Sequence, residues 1–399
     1  MSSRRSVVPG LEILLQRAEA LLGGRRIGLL ANPASVDRRL VHAADRLRAL
    51  PGVELAALFG PEHGLRGGAQ DMEAVESRTD SATGLPVYSL YGERAASLSP
   101  TQAMLRELDL LVCDLPDVGA RYYTYSATVL HVLREAASVG LPVLVTDRPN
   151  PLGGEVVEGP GLDPGFESFV GCAPIPVRHG LTMGELALFF KQTLVPEVDL
   201  EVIPMRGWCR SFLWEDTGLA WVPPSPNMPT TETAFVYPGA CLVEGTNLSE
   251  GRGTTRPFEW VGAPWVDAHA LASELNALGR PGVRFRAHWF RPLAQKWQGA
   301  TCGGVQVHVT RREYFRAFPA YVALLAAVRR QDPARFAWRT DPYEFEDGRL
   351  AIDLLSGSGR LRRDLEAARP LAAMEEEWRR EAEAFLEARR PSVLYPQDG

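Results

Sequence analysis

The first half of this 399-residue chain predicts an open α/β sheet, and three observations indicate that fold class. Five short apolar runs are rich in branched side chains, and most are followed by polar, glycine or proline residues, which is typical of buried parallel strands. Segments with helical periodicity and capping residues lie between them. Strands that alternate with helices predict a parallel sheet with right-handed crossovers, here from about residue 25 to about residue 210.

Each predicted strand is a short run. The five runs are RRIGLLANPA, VELAALFGPE, LDLLVCDLPD, GLPVLVTDRPN and VDLEVIPM. Upstream of them, MSSRRSVVPGLEILLQRAEALL predicts a helix rather than a secretory signal, because Glu12, Arg17 and Glu19 interrupt its apolar stretch. We therefore expect a cytoplasmic protein, or an extracytoplasmic one if a leader has been removed.

Four helices are predicted around these strands. The first is VDRRLVHAADRLRAL, and the second is SPTQAMLREL, with Ser99 as N-cap and Pro100 at the first helical position. The third, TYSATVLHVLREAASVG, ends at Gly140, a residue suited to a helix C-terminus. In the fourth, LTMGELALFFKQTL, Thr182 and Glu185 stand in capping-box register.

The second half of the chain predicts a smaller α+β domain. It opens with WVPPSPNMPTTETAFVYPGACLVEGTNLSEGRGTTRPFEWVGAPW, whose few helical periods predict a long ordered loop of the kind that carries function. GVRFRAHWFRP and GGVQVHVT then predict strands, while AYVALLAAVRRQ and RRDLEAARPLAAMEEEWRREAEAFLEARR predict helices, and RPSVLYPQDG a tail. The predicted domains are residues 1–235 and 236–399.

The composition indicates an ordinary soluble globular protein, with 45% hydrophobic and 23% charged residues. No apolar run is long enough to span a membrane. The net charge of −6 offers no basic field for nucleic acid. The five cysteines are widely spaced without a CxxC pair, so they indicate neither a disulfide framework nor a zinc site. We expect no nucleic-acid partner and no membrane span.

Polar side chains follow four of the predicted strands at their carboxyl ends. In an open α/β sheet the loops there converge on a crevice where ligands bind. A single Asp or Asn in such a loop can simply cap a helix, but helix capping explains the whole set poorly. The set is Asn32, then Glu62, His63 and Arg66, then Asp114, Asp117, Arg121, Tyr122 and Tyr123, and then Asp147, Arg148 and Asn150.

Familiar cofactor and nucleophile signatures are absent. The chain has no GxGxxG after its first strand, no GxxxxGK[ST], no HExxH and no GxSxG. The sequence therefore does not favour a nucleotide-binding protein, a zincin metalloprotease or an α/β-hydrolase. A metal site built from His63, His179, Asp114 and Asp117 stays open as an alternative, although no two of them lie at a diagnostic ligand spacing. We expect no metal and no cofactor.

With those signatures absent, the remaining candidates for catalysis are carboxylates. Glycoside hydrolysis requires two carboxyl groups held at different pKa values, one to donate a proton and one ionised. Nearby tyrosines and arginines suit a sugar that carries an acidic substituent, because guanidinium groups bind carboxylates. The candidate acids are Glu62, Asp114, Asp117, Asp147 and Glu158.

Motifs spread along nearly the whole chain resemble the NamZ-type exo-lytic β-N-acetylmuramidases. They are LFGPEHGLRG, DLPDVGARYYTY, DRPNPLGG, VEGPGL, SFVG, IPVRHGLTMGELA, PSPNMPT, YPGACLVEGTNLSEGRGTTRPFEWVGAPW, GVQVHVT and YEF. The resemblance implies a Rossmann-like N-terminal domain, a smaller C-terminal domain and an active-site cleft between them. It also implies removal of N-acetylmuramic acid from the non-reducing ends of peptidoglycan fragments, with Glu62 at the position of the family's cleft glutamate.

On this interpretation the catalytic candidates are Glu62 as general acid, with Glu158 or Asp117 as its partner and Asp114 as a further competitor. Arg121, Arg148 and Arg252 compete to bind the lactyl carboxylate of muramic acid. The full set of substrate-binding candidates is Asn32, His63, Arg66, Asp114, Arg121, Tyr122, Tyr123, Asp147, Arg148, Asn150, His179, Asn227, Glu244, Asn247, Glu250, Arg252 and Thr254.

The expected partners are muramic-acid saccharides derived from peptidoglycan. Two other classes of function stay open at this point. One is a non-catalytic protein that binds cell-wall glycan, and the other is a metal-dependent hydrolase or deacetylase.

Overall fold

The computed structural model describes residues 6–70 and 72–397. The strands of its larger sheet are, in chain order, β1 (Arg26–Ala31), β2 (Glu54–Gly60), β3 (Arg78–Thr79), β4 (Pro86–Ser89), β5 (Leu110–Asp114), β6 (Val143–Thr146) and β7 (Leu200–Ile203). Their order in the sheet is β3-β4-β2-β1-β5-β6-β7. All neighbours are parallel except β3 and β4. Strands β2 and β5 lie on opposite sides of β1, so the loops that follow them diverge. This divergence creates a crevice at the carboxyl ends of the strands.

The predicted α/β class is confirmed, and all five predicted strands are present as β1, β2, β5, β6 and β7. Sequence analysis missed β3 and β4. These two are short and mostly exposed, and β4 begins with a proline, so they lack the buried apolar run by which the others were recognised.

The helices of this half are α1 (Gly10–Gln16), α2 (Ala18–Leu22), α3 (Ala43–Arg48), α4 (Gln102–Leu105), α5 (Tyr125–Val139) and α6 (Met183–Thr193). Two predicted ends are confirmed: Gly140 closes α5 in the left-handed conformation, and Thr182 and Glu185 form the capping box of α6. Two predicted starts are wrong. Helix α3 begins only after His42, and the N-cap of α4 is Thr101 rather than Ser99.

The second half contains α7 (Thr231–Ala240), β8 (Trp260–Ala263), α8 (Ala268–Ala277), β9 (Val283–Phe290), β10 (Cys302–Val309), α9 (Ala317–Gln331), α10 (Ala351–Ser356), α11 (Arg360–Glu366) and α12 (Leu371–Ala388). The strands form an antiparallel sheet in the order β8-β10-β9. The predicted loop was wrong over α7. That helix is buried along nearly its whole length and contains Pro238, so it shows no amphipathic period from which a helix could be recognised.

The predicted C-terminal tail is also wrong over its described part. Tyr395 is buried against Trp208, with ring centroids 4.9 Å apart. Its hydroxyl donates to Asp147 and accepts a hydrogen bond of 2.9 Å from the Met205 amide. The end of the chain therefore returns to the edge of the larger sheet.

Apolar packing joins the two halves. One cluster runs from α5 and α6 through α7 and α9 to β10, while a second lies under α1, α2 and α3 on the opposite face of the larger sheet. The division into residues 1–235 and 236–399 stays a prediction. Across the described residues, no helix combines the length and apolar character needed to cross a membrane.

Candidate active site

A small polar pocket lies at the carboxyl ends of β2 and β5, where the loops of the larger sheet meet the segment around α7. We call it the inner pocket. In this conformation its cavity volume is about 30 Å³, which is room for water-sized molecules and not for a sugar ring. Seven residues predicted from the sequence line it: Glu62, His63, Tyr122, Tyr123, Asn227, Glu244 and Arg252.

Glu62 is the most distinctive group of the inner pocket, and its side chain is 6% exposed. Its Oε2 accepts a hydrogen bond of 2.6 Å from the Thr124 hydroxyl at the start of α5. Among the described residues its Oε1 has only long contacts, 3.5 Å to the Met72 amide and 3.9 Å to His63 Nε2. One oxygen is therefore held in place while the other stays open to a reacting group.

His63 supports this arrangement without occupying the open oxygen. Its Nδ1 lies 3.1 Å from the Ala69 carbonyl oxygen, which can only accept, so Nδ1 carries a proton and donates it. Its Nε2 lies 3.9 Å from Glu62 Oε1, beyond hydrogen-bond distance. His63 also has φ +67°, a region that costs energy for a residue with a side chain and that is concentrated at functional sites.

Glu244 lies in the same pocket in a different electrostatic setting. Arg252 Nη2 donates to its Oε1 at 2.7 Å, and the Tyr343 hydroxyl donates to its Oε2 at 2.6 Å. Burial opposes ionisation of Glu244, but Arg252 and these hydrogen bonds outweigh it, so the pKa of this carboxyl lies below its usual value. Glu244 is thus an ionised carboxylate at neutral pH.

Tyrosines form the walls of the inner pocket. The Tyr122 hydroxyl donates to the Pro238 carbonyl, and the rings of Tyr123 and Tyr125 meet edge to face at 4.7 Å. The Tyr123 hydroxyl is buried and makes no hydrogen bond of normal length to any described residue. Burial raises the pKa of Tyr123 above its usual value, so the phenol stays protonated and can donate to a ligand.

Sequence analysis missed Glu344, which also lines the inner pocket. The Tyr91 hydroxyl donates to its Oε2 at 3.0 Å. Glu344 and Phe345 have φ values of +47° and +67°, in a turn closed by the bridge between Tyr343 and Glu346. The available signal was the motif YEF, which was noted for family resemblance and not for its acid.

A second cavity adjoins the inner pocket and shares Glu244 with it. We call it the outer groove, and its volume is about 660 Å³. Two further predicted residues, Asn247 and Glu250, line it. Glu250 forms an ion pair of 2.7 Å with Lys296 Nζ. Met72 also lines this groove and approaches Glu62 with its amide, so it lies between the two spaces.

The predicted acids at the sheet edge lie outside the inner pocket. Asp114 Oδ1 accepts hydrogen bonds of 2.7 Å from Arg148 Nε and from the Thr146 hydroxyl. Asp147 accepts from the Thr182 hydroxyl at 2.7 Å and from the Gly184 amide, and burial raises its pKa to about 6. These carboxylates join strands, a helix and a loop to each other.

Neither predicted partner acid lines the inner pocket. Glu158 forms an ion pair of 2.7 Å with Arg178 and accepts from the Phe318 amide. Asp117 accepts from the Gly119 amide at 2.7 Å, and burial raises its pKa to about 7. Both oxygens of Glu158 are engaged, whereas Asp117 Oδ1 is buried with no hydrogen-bond partner among the described residues. A carboxylate pair between Glu62 and either acid stays a prediction.

Two predicted arginines are likewise committed to the fold. Arg121 is fully buried and donates to three backbone carbonyls, of Pro160, Ile175 and Leu355. Arg148 is occupied by Asp114 and by the Val36 carbonyl. Neither arrangement leaves them for a lactyl carboxylate.

Other predicted residues also have local structural contacts. Arg66 pairs with Asp80 at 3.1 Å rather than with Glu62. The remaining contacts are Asn32 with Pro116 and Ala34, Asn150 with Leu181 and Leu152, His179 with Leu181, and Thr254 with Gly251 and Arg256.

The alternative metal site is not assembled as proposed. His63 lies beside Glu62, whereas His179 lies 3.8 Å from Asp117. Asp114 faces Arg148. Among residues 6–70 and 72–397, no group of three or more His, Cys, Asp or Glu side chains is placed to hold a metal ion.

Comparison with known proteins identifies consistent relatives. The models for the N-terminal and C-terminal domains of exo-β-N-acetylmuramidase NamZ match residues 27–232 and 235–395. The peptidoglycan β-N-acetylmuramidase NamZ of Bacillus subtilis (strain 168) is 42% identical over 394 residues, 99% of this chain and 92% of that protein.

Two crystal structures of DUF1343 family proteins from Bacteroides fragilis NCTC 9343 are also similar. The first has a TM-score of 0.88 and 35% identity, and the alignment covers 98% of this chain and 99% of the other. The second has a TM-score of 0.75 and 28% identity with the same coverage.

Proposed function

This chain belongs to the NamZ family of exo-β-N-acetylmuramidases, and from that premise we propose that it hydrolyses the bond to a terminal N-acetylmuramic acid at the non-reducing end of peptidoglycan fragments. It is thus a glycoside hydrolase. The observation that carries the assignment within this chain is the Glu62 carboxyl, buried in the inner pocket with one oxygen held by Thr124 and the other open.

Glu62 is the proposed general acid. Cleavage of a glycosidic bond needs a proton on the leaving oxygen, and a positioned acid contributes roughly 10²- to 10⁴-fold to the rate. The open Oε1 is the atom that would carry this proton. Thr124 fixes the carboxyl group, so the direction of proton transfer is set before the substrate binds.

Glu244 is the proposed charged partner in place of Glu158, Asp117 and Asp114. It lines the same pocket as Glu62, and Arg252 and Tyr343 keep it ionised. An ionised carboxylate stabilises the positive charge that develops at the anomeric carbon in an oxocarbenium-like transition state. Its contacts suit it to this role rather than to proton donation.

Arg252 is the proposed residue for the lactyl carboxylate. Of the three arginines that sequence analysis selected, it alone lines the inner pocket, next to Glu244. N-acetylglucosamine lacks the lactyl group, so a charge-assisted contact of this kind would discriminate between the two sugars.

Exo action is supported by the shape of the site. The inner pocket is small and adjoins the larger outer groove, which suits a terminal sugar inside and the rest of the glycan outside. Because the inner pocket holds about 30 Å³ here, a sugar ring enters only if neighbouring loops move. Met72 lies between the two spaces.

The proposed substrates are muramic-acid saccharides derived from peptidoglycan. A cytoplasmic site of action, as in the recycling of imported fragments, is part of the same proposal.

The direct test compares 4-nitrophenyl β-N-acetylmuraminide with the matching glucosaminide. We expect turnover of the first and little of the second, and single N-acetylmuramic acid as the first product from longer glycans. Equal rates on both substrates, or internal oligomers as first products, would contradict the proposal. Binding without turnover would favour the glycan-binding alternative, and loss of activity with EDTA the metal-dependent one.

A further inference from the structure

The outer groove carries features that the proposed reaction at Glu62 does not use. Its wall includes Trp297, Trp338 and Arg339. Aromatic faces beside a cation are the usual lining of a site for a ligand that has both an apolar face and a negative charge.

Trp297 presents a face and not a hydrogen-bond donor. Its Nε1 donates to the Asn247 carbonyl at 2.6 Å, yet 36% of the residue is exposed. Its φ is +61°, and Gln295 in the same loop has φ +62°. Such conformations are costly for residues with side chains and persist only where neighbours enforce them.

Lys296, between Gln295 and Trp297, holds this loop in its strained conformation. Its Nζ donates to the carbonyls of Val243 and Thr246 at 3.0 and 3.1 Å and pairs with Glu250 at 2.7 Å. Its charge is therefore paired with Glu250 and not free for a ligand. The strained loop that presents Trp297 is anchored to the segment that carries Glu244.

Arg339 is the available cation of the groove. It lies over the Tyr343 ring at 5.0 Å, and its Nη2 has only weak contacts, 3.3 Å to the Pro342 carbonyl and 4.0 Å to Met72 Sδ. No carboxylate of the described residues forms an ion pair with it.

We propose that the outer groove binds the leaving side of the glycan, with Trp297 against the first sugar after the scissile bond and Arg339 on a carboxylate carried beyond it. This assignment rests on the proposed function, because the groove becomes a leaving-group site only if Glu62 acts in the inner pocket. A pyranose ring has an apolar C–H face that suits an indole. The carboxylate has two sources, the lactyl group of the next muramic acid or a peptide attached to it.

The test measures kcat/KM for Trp297→Ala and Arg339→Gln on four substrates. These are 4-nitrophenyl β-N-acetylmuraminide, the disaccharide with N-acetylglucosamine, and a trisaccharide ending in muramic acid with and without a stem peptide. Trp289→Ala is the matched control, since Trp289 is 51% exposed and does not line the groove. Arg311→Gln is the second control, because Arg311 lies over Tyr314 at 4.6 Å in the same way as Arg339 over Tyr343.

Trp297→Ala should lower kcat/KM about 10-fold more on the saccharides than on the nitrophenyl substrate. Arg339→Gln should lower it about 10- to 100-fold more on the substrates with a leaving-side carboxylate, the range for a charge-assisted hydrogen bond. Attachment of the peptide converts the lactyl carboxylate into an amide, so loss only on the trisaccharide without peptide identifies the lactyl group. Loss only on the peptide-bearing one identifies a peptide carboxylate, and loss on both shows that Arg339 accepts either. Equal losses on all four substrates, or no loss on any, would overturn the proposal.

A binding measurement separates this proposal from the proposed function. Calorimetry with the leaving disaccharide, N-acetylglucosamine linked to muramic acid, needs no turnover. We expect binding that Trp297→Ala and Arg339→Gln weaken about 10-fold or more, while the two control variants leave it unchanged. This pattern in an inactive enzyme would remove the proposed function but keep the groove site. An active enzyme whose Trp297→Ala and Arg339→Gln variants bind the disaccharide like the wild type would keep the proposed function and remove the groove site.

Discussion

The inner pocket and the edge of the larger sheet below it both hold buried carboxylates, but they satisfy them differently. At the sheet edge, Asp114 is held by Arg148 and Thr146, and Asp147 by Thr182 and by backbone amides. In the inner pocket, one oxygen of Glu62 has only contacts of 3.5 and 3.9 Å. Burying a carboxylate oxygen such as Glu62 Oε1 with only long contacts costs free energy. A bound ligand could supply the closer partner that this oxygen lacks.

The comparison teaches that position after a strand does not identify a catalytic acid. Both sets follow parallel strands at the same edge of one sheet, which is all that the sequence pattern shows. The difference lies in the partners, and the partners come from distant parts of the chain. Replacing a carboxylate by an amide should therefore reduce stability at the sheet edge and reduce catalysis in the inner pocket.

The largest effect is expected at Glu62. Glu62→Gln keeps the shape and the hydrogen bond from Thr124 but has no acidic proton, so kcat should fall by at least about 10²-fold with little change in thermal stability. Glu158→Gln is the matched control, a buried glutamate paired with Arg178 outside the pocket. It should lose stability and keep the activity of its folded fraction. The opposite pattern would move the catalytic role to Glu158.

Asp114→Asn should give the next largest effect, on folding rather than chemistry. Removing one partner of a buried ion pair leaves the Arg148 charge uncompensated, which costs about 3–5 kcal/mol. Denaturant unfolding measures this loss in the free energy of unfolding. A variant as stable as the wild type but inactive would show that Asp114 belongs to the reaction.

A smaller effect is expected at Tyr123. Tyr123→Phe removes a buried hydroxyl whose contacts with the Ser225 and Tyr125 side chains fall outside normal hydrogen-bond geometry, so stability should change little. If the hydroxyl donates to the bound sugar, kcat/KM should fall about 3- to 10-fold, the range for one neutral hydrogen bond. Tyr122→Phe is the control, because it deprives the Pro238 carbonyl of its donor and should reduce stability first. Unchanged kinetics in Tyr123→Phe would show that the hydroxyl does not bind the sugar and that Tyr123 only lines the pocket.

A pH dependence of stability is expected at Asp117. Burial raises its pKa from 3.8 to about 7, and His179, whose pKa burial lowers to about 3, is neutral and gives no compensating charge. The folded state thus binds this proton more tightly than the unfolded state, and the stability it contributes is lost as the pH rises from about 4 to about 7. Asp117→Asn should gain on the order of 1–3 kcal/mol relative to the wild type between pH 4 and pH 8. Parallel stability curves would contradict this.

The fold was largely predictable because local signals sufficed for it. The apolar runs of β1, β5 and β6 and the caps of α6 act within a few residues. Helix α7 was missed because it is buried along nearly its whole length and so lacks a polar face. The docking of Tyr395 was missed because its partners, Asp147 and Met205, lie about 190 or more residues away in the chain.

The site was predictable only in part, for a related reason. Glu62 was recognisable because an acid and a histidine between glycines have no use in a plain turn. The neutralisation of Glu158 by Arg178 needs the antiparallel bridge that sets them side by side, and nothing in the residue types announces it. Glu344 reaches the pocket through a turn with two left-handed residues, a conformation that its sequence does not specify.

The central claim, that Glu62 donates the proton to the leaving oxygen, is tested most directly by the dependence on leaving group. A dinitrophenyl muraminide has a leaving group that departs without a proton, whereas a saccharide substrate requires one. We expect Glu62→Gln to lose at least about 10²-fold in kcat/KM on the saccharide and under about 10-fold on the dinitrophenyl substrate. Equal losses on both substrates would contradict proton donation and leave Glu62 as a residue that only shapes the pocket.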